Sequence, residues 1–252
     1  MKLENKSVVV TGASSGMGKA IVELFVAQGA NVIAVARRAE RLAELAEQLK
    51  DAPGKMIPYT GDVSVREDCE GMIEAAVENF GKLDILVNNA GVMDNMAAAA
   101  DALDEKYEQV FAINVYGPLA AMRKACQVFL EQGNGGNIIN VTSAGAQHQA
   151  AGIVYCASKA AVESMTRNTA YMYKGDDIRV NAIAPGGIAT EIGATMGQPN
   201  VDGYTRLQGV LALSPEPGQA TDIAQTALFL ASEDSAYISG AILPVDGGWT
   251  SF

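Results

Sequence analysis

The stretch TGASSGMG, residues 11–18, decides the fold. It follows a short apolar run at residues 7–11 and leads into an amphipathic segment at 17–28. Glycines at 12, 16 and 18 permit a tight turn and let backbone amides approach a pyrophosphate at the start of the helix. Ser14, Ser15 and Met17 lie in the same loop and belong to the same candidate site. Three residues rather than one separate the first two glycines, so this is not the commonest dinucleotide fingerprint. A glycine triplet alone is weak evidence. Its place between a first strand and a first helix gives it weight.

The rest of the chain continues that alternation. Runs at 31–36, 55–60, 83–88, 137–142, 179–184 and 241–245 read as further strands, apolar on both faces. Between them, 40–50, 65–80, 103–130, 155–173 and 221–232 read as helices, several closed by Gly29, Gly81 or Gly133. This predicts an α/β fold, a doubly wound, seven-stranded parallel sheet flanked by helices in the Rossmann manner. With no linker, repeat or low-complexity segment, residues 1–252 read as one domain. One long irregular stretch, about 186–219, is rich in Gly, Pro and small residues and reads as a substrate lid.

The second strand ends VIAVARR, with Ala36 where an enzyme preferring NAD places an acid for the ribose 2′-hydroxyl. Arg37 and Arg38 follow, and arginine grips a 2′-phosphate bidentately where an acid would repel it. NADP is therefore the expected cofactor. Glu40 opens the next helix, where it suits the helix dipole.

Composition excludes several classes of function. The formal net charge is −11 and the isoelectric point about 4.6, which disfavours nucleic acid and anionic membrane as partners. Three separated cysteines form no CxxC pair, giving no zinc site and suiting a reducing cytoplasm. The N-terminus lacks a signal peptide's apolar core, and the charge-free run at 132–158 is too polar to span a bilayer. A cytoplasmic location without a membrane or a metal is expected.

At the end of that charge-free run, Tyr155 and Lys159 stand four apart, on one face of the predicted helix. A free phenol titrates near pH ~10, and a close cation lowers that value. On spacing alone this is no more than a pair.

Taken in order, the motifs make the whole chain resemble the short-chain dehydrogenase/reductase family. After TGASSGMG come Asp62-Val63, NNAG at 88–91, Asn114, Ser143, Tyr155-x-x-x-Lys159, Pro185-Gly186 leading to Thr190, and VDGG at 245–248. The resemblance implies hydride transfer between a nicotinamide and a ketone or secondary alcohol. It implies that Tyr155 is the general acid/base, with Lys159 lowering its pKa and holding the nicotinamide ribose. Ser143 would bond the substrate oxygen and Asn114 would support a relay water. It also implies cofactor contacts from Asp62 and Val63 at the adenine, from Asn89, Ala90 and Gly91 behind the adenosine, and from Pro185, Gly186, Ile188 and Thr190 towards the carboxamide. Ser143 and Tyr155 are twelve apart, one fewer than is common in the family, and Thr142 is the fallback hydroxyl.

His148, the only histidine, lacks triad or metal partners and is a candidate for the pocket wall; Cys156 reads as packing. Ala120, Ala121, Ala157, Ala160 and Ala161 give small-residue helix faces, and the resemblance implies a homotetramer or homodimer through them. The pocket walls are expected from Met93–Met96, residues 145–154 and residues 186–213, with Met196 among them. Their few charges are Asp94, Glu191, Asp202 and Arg206. An apolar substrate such as a hydroxysteroid follows, with a 3-oxoacyl-(acyl-carrier-protein) reductase as the alternative. A non-catalytic NADP-binding sensor or scaffold is the reading from another class.

Overall fold

The computed structural model describes residues 1–251; Phe252 lies outside them. Seven strands form one parallel sheet: β1 (Ser7–Thr11), β2 (Asn31–Ala36), β3 (Lys55–Thr60), β4 (Ile85–Asn88), β5 (Gly136–Val141), β6 (Ile178–Pro185) and β7 (Ile242–Val245). Their spatial order is β3-β2-β1-β4-β5-β6-β7. The chain therefore reverses its direction of winding between β1 and β4, and the crevice beyond the carboxyl ends of those two strands is where such sheets bind ligands. Both outermost strands carry a proline within their paired registers, Pro58 opposite Ala34 and Pro244 opposite Ala184.

Alternation along the strands sends side chains to two separate cores. Val8, Val10, Val32 and Ala34 pack under α1 (Gly16–Ala27), α2 (Ala39–Gln48) and the late helix at Ala220–Ala231, meeting Phe25, Leu42 and Ile223. Val9, Ile33 and Val35 face the other way, against α3 (Arg66–Phe80) and the long helices that follow, meeting Met72, Ile73 and Phe129. Each fully buried aliphatic or phenyl side chain contributes about 1.5–3 kcal/mol relative to exposure.

The single helix expected over 103–130 is three pieces: α4 (Asp104–Phe111), a π-helical turn (Ala112–Tyr116) and α5 (Gly117–Gln132). Pro118 has no N–H to send to the carbonyl of Asn114, and the Gly117 N–H reaches back five residues to Ala112 instead. Asn114 sits in that widened turn.

The short α6 (Gly145–His148) precedes α7 (Ile153–Met172), which carries Tyr155 and Lys159. The stretch 186–219 is not irregular throughout. It contains a 3₁₀ segment (Glu191–Thr195) and α8 (Val201–Leu211), which is capped by the Asn200 side chain accepting from Gly203 N–H at 2.7 Å. The helix at Ala220–Ala231, α9, completes the layer of α1 and α2 over the first core. Of the small-residue faces, Ala120 and Ala121 are 2% and 1% exposed, packed in the second core of this same chain. They are unavailable to a second subunit, whereas Ala157 and Ala160 lie exposed on α7. Among the described residues no helix is long and apolar enough to cross a membrane.

Candidate active site

The phosphate loop is built for close approach. Gly12 adopts φ +70°, and a Cβ there would lie 2.7 Å from Asn89 Nδ2; one on Gly18 would lie 2.3 Å from the Gly12 carbonyl oxygen. Helix α1 begins without a side-chain cap, because the Ser15 hydroxyl accepts from Arg38 instead. Its first turn holds no acidic residue. Amides at such a start, next to glycine backbone, suit a pyrophosphate. Across the reversal point, the Thr11 hydroxyl accepts the N–H groups of Asn89 and Ala90, each at 3.0 Å. This fixes the NNAG turn against the loop.

Together these segments enclose a hollow of about 330 Å³. Of the residues nominated from sequence, Gly12, Ser14, Ser15, Gly16, Met17, Arg37, Arg38, Asp62, Val63, Asn89, Ala90, Gly91 and Thr190 line it. Gly18, Tyr155, Lys159, Pro185, Gly186 and Ile188 do not. Gly18 packs beneath Gly12, Pro185 ends β6 and accepts from Ala144 N–H, Gly186 packs on Asp246, and Ile188 leans on the first core. The glycine cradle and arginine edge fit a dinucleotide.

At the arginine edge, Arg38 donates to the Ser14 hydroxyl at 2.9 and 3.1 Å and to that of Ser15 at 2.8 Å. Arg37 lies 3.7 Å from Asp62. Burial opposes ionisation of Asp62, but hydrogen bonds from Ser64 and the charge of Arg37 outweigh it and hold its carboxyl below the ordinary range. One residue here, Arg41, went unrecognised in the sequence, as did its pairing with Glu191. Arg41, one turn beyond Arg38, donates to Glu191 at 2.8 and 3.0 Å, and Arg38 donates to the same carboxylate at 3.1 Å. Hydrogen bonds from Arg41 and then Arg38 hold the Glu191 carboxyl low. The turn spacing of Arg38 and Arg41 is visible in sequence; their partner 150 residues later is not.

The four catalytic candidates converge beyond β5. Tyr155 and Lys159 are 7% and 4% exposed, with the lysine Nζ 5.7 Å from the phenol ring centre and donating to the Val141 carbonyl at 2.9 Å. The Ser143 hydroxyl and the Tyr155 ring flank Gly145 together. A Cβ on Gly91 would lie 3.2 Å from the lysine Nζ and 3.4 Å from Asn114 Oδ1, so these three groups meet. Asn114 brackets Val92, accepting from its N–H and donating to its carbonyl, both at 2.9 Å, and it also donates to Ser158.

The expectation that Lys159 makes Tyr155 more acidic is not met in this structure. Burial pushes the phenol up to about 12, against a downward pull from Ser143. Burial likewise pushes Lys159 down to about 8. Both groups are dry, and desolvation opposes the charged form of each. Thr142 is no alternative to Ser143, since its hydroxyl donates to Ile183 within the sheet. Cys156 has its thiol pushed up to about 11, mainly by burial, which suits packing rather than attack.

A second hollow, of about 500 Å³, is walled by Met96, Gly145, Ala151, Cys156 and Leu207, with Arg206 as its only charged residue. The three expected wall segments meet here. Gly145 joins it to the catalytic hydroxyls, a Cβ there falling 3.4 Å from Ser143 Oγ and 3.8 Å from the Tyr155 ring. Met93, Met196 and Leu207 pack around Met96, Ala151 and Tyr155. His148 ends α6 and lines neither hollow. No metal-binding cluster occurs among the described residues.

Comparison with known proteins bears on this arrangement directly. A family model described as Enoyl-(Acyl carrier protein) reductase matches residues 12–250. The chain is 40% identical to 3beta-hydroxysteroid dehydrogenase 2 of Eggerthella lenta over 251 residues, covering 99% of this chain and 96% of that one. The chain belongs to the short-chain dehydrogenase/reductase family. It is also 36% identical to a 3-oxoacyl-(acyl-carrier-protein) reductase of Thermotoga maritima over 253 residues, 98% of this chain and 99% of the other. A putative short-chain alcohol dehydrogenase from Sinorhizobium meliloti superposes with a TM-score of 0.87 at 32% identity, covering 99% and 98% of the two chains. As a short-chain dehydrogenase/reductase, the protein is an oxidoreductase acting on CH–OH groups with a nicotinamide cofactor.

Proposed function

We propose that this short-chain dehydrogenase/reductase is NADP(H)-dependent and interconverts an apolar ketone of hydroxysteroid size with its secondary alcohol. One observation carries the reading. The arginine-edged glycine cradle touches Lys159 and Asn114 through Gly91, and the apolar hollow touches Ser143 and Tyr155 through Gly145, so the four catalytic candidates stand between the two.

NADP is supported by the buried Ala36 at the end of β2, which puts no carboxylate at that position, and by Arg38 and Arg41 side by side. Arg38 already reaches the phosphate loop and is placed to grip a 2′-phosphate. Asp62 and Val63 would flank the adenine, and Lys159 would take the nicotinamide ribose. Bound NADPH would supply the hydride.

The protein's own part is proton transfer and orientation. Ser143 holds the carbonyl oxygen beside the phenol, and Tyr155 gives its proton to that oxygen as negative charge develops. With the phenol pushed up to about 12, Tyr155 carries at neutral pH the proton that ketone reduction requires. Asn114 holds Val92 and offers its main-chain carbonyl, to which Pro118 sends no N–H, as an anchor for a relay water. The apolar walls hold substrate by area burial, at about 25 cal/mol per Å² before binding costs.

The relationship to a 3-oxoacyl-(acyl-carrier-protein) reductase supports a second reading, a thioester substrate presented by a carrier. Arg206 in the wall of the apolar hollow would meet an acidic carrier, whereas the net charge of −11 opposes one. A panel of ketones of rising apolar size, 3-oxoacyl thioesters and sugars, followed by NADPH absorbance with NADH in parallel, tests both. Rising kcat/KM with apolar bulk supports the ketone reading; best activity on a thioester, a sugar or with NADH rejects it, and no turnover at all points to the sensor. We further propose that the chain assembles as a homodimer or homotetramer, which sedimentation tests.

A further inference from the structure

Asp94 is 1% exposed, and no salt bridge to it occurs among the described residues. Its oxygens instead take two backbone N–H groups, Oδ1 from Met96 and Oδ2 from Tyr155, each at 3.0 Å. The Tyr155 N–H is the third of α7, one of the amides that a helix start leaves without an internal acceptor. Gly152, the capping residue, has no side chain to take it, so the acceptor comes from 61 residues earlier. A carboxylate there also faces the positive end of the helix.

Two further features show that the contact is built. Any Cβ on Gly152 would lie 2.3 Å from Asp94 Oδ2, so the glycine leaves room for the carboxylate. Met96 adopts φ +61°, a conformation that a bulky side chain holds only where its surroundings impose it. Residues 92–97 are tied down on both sides. Asn114 grips Val92, and Ile153 N–H donates to the Ala97 carbonyl at 3.0 Å. On the far side, Met93 N–H donates to the Thr195 hydroxyl at 2.9 Å, and Asn200 N–H donates to the Asn95 carbonyl at 2.7 Å. This strap joins the helix bearing Tyr155 to residues 195–200, and Met96 is part of the apolar wall.

We propose that Asp94 is a positioning residue of the reaction, holding Tyr155 with one oxygen and Met96 with the other so that the phenol is set against the substrate wall. The inference rests on the reading of Tyr155 as proton donor. The phenol is faced by Lys159 and the Cys156 thiol from α7, Ser143 from beyond β5 and Asp94 from the strap. After burial, the charges of Cys156 and Asp94 are what push its pKa up.

Asp94→Asn keeps the shape but turns an NH₂ towards an N–H. Misplacement of a reacting group by about 1 Å costs on the order of 10²-fold. We expect kcat for ketone reduction to fall by about that factor, with the cofactor Kd held within about twofold. Losing the anion also lowers the phenol pKa, so the alkaline limb of the reduction profile, where the protonated donor is lost, moves to lower pH. In a Tyr155→Phe background the same change costs nothing further. Gly152→Ala reaches the carboxylate by another route, since its φ of −67° admits alanine, and it reproduces the loss even if Asp94→Asn fails to fold. A kcat within threefold of wild type in both variants overturns the proposal. So does an equal loss in the Tyr155→Phe background, an unmoved alkaline limb, or joint loss of cofactor binding. Full activity of Tyr155→Phe alone would remove the reading beneath it; every other result leaves that reading standing.

Discussion

The two hollows flank the catalytic candidates, one through Gly91 and the other through Gly145, but are made by opposite means. The cofactor hollow is organised around backbone, glycine turns and helix-start amides, with an arginine side-chain edge, most of it from contiguous motifs. The apolar hollow is walled mainly by side chains, alanines with Met96, Ile153, Cys156 and Leu207, brought together from residues 96–99, 145–160 and 203–207. Backbone recognition needs a particular local sequence and tolerates little change. Packing recognition needs only bulk in the right place, and many sequences supply it.

Perturbations should therefore separate the two halves, and Tyr155→Phe gives the largest effect. Turnover should fall by about 10²–10⁴-fold, the usual contribution of a general acid. NADPH affinity, measured by fluorescence titration, should stay within about threefold. Near-normal turnover would break the comparison at its hinge. Arg38→Ala comes next. Losing a charged partner is worth about 1.5–3 kcal/mol, so the NADPH dissociation constant should rise by roughly tenfold or more. NADH affinity should barely move, and the order of preference among ketones should not change.

Glu191→Gln has a smaller effect of opposite sign. It removes the carboxylate that engages Arg38 and Arg41, leaving both free for a phosphate. An exposed ion pair is worth about 0.2–1 kcal/mol, so NADPH should bind up to about fivefold more tightly. Unchanged affinity would mean the two arginines do not serve the 2′-phosphate. The smallest signal tests dryness on the apolar side. An ordinary phenol is half ionised near pH ~10. Because Tyr155 is pushed up to about 12, it should still be protonated there. The wild-type minus Tyr155→Phe spectrum at 295 nm should then lack about half a tyrosinate at pH 10, and a phenolate already formed would restore Lys159 as its acidifier.

The same contrast governs what could be read from sequence. Every strand announced itself as a β-branched run, and the phosphate loop, NNAG and Tyr155-x-x-x-Lys159 are local motifs whose residues meet as expected. Helix α8 was illegible because VDGYTRLQGVL holds two glycines and poor helix propensity. It forms through tertiary support: Asn200 caps it, and Gly203 packs against the Met96 carbonyl, where a Cβ would come within 2.0 Å. The π turn at Asn114 needed the effect of Pro118 on a helix that otherwise scored as continuous. Arg41 with Glu191, and Asp94 with Tyr155, are pairings across 150 and 61 residues that no local pattern encodes. The family resemblance implied a phenol made more acidic by Lys159, whereas in this structure burial pushes the phenol up and the lysine down.

The prolines at the two ends of the sheet have a consequence for the molecule's behaviour in a crowded solution. An outermost strand presents a row of unsatisfied N–H and C=O groups, a template on which a foreign strand can seed fibril growth. Pro58 and Pro244 each delete a donor within such a row, so an incoming strand could not zip along the full length of either edge. A parallel sheet with this much apolar strand sequence is exposed to misassembly while it folds. Its two growing ends are blunted by one residue apiece.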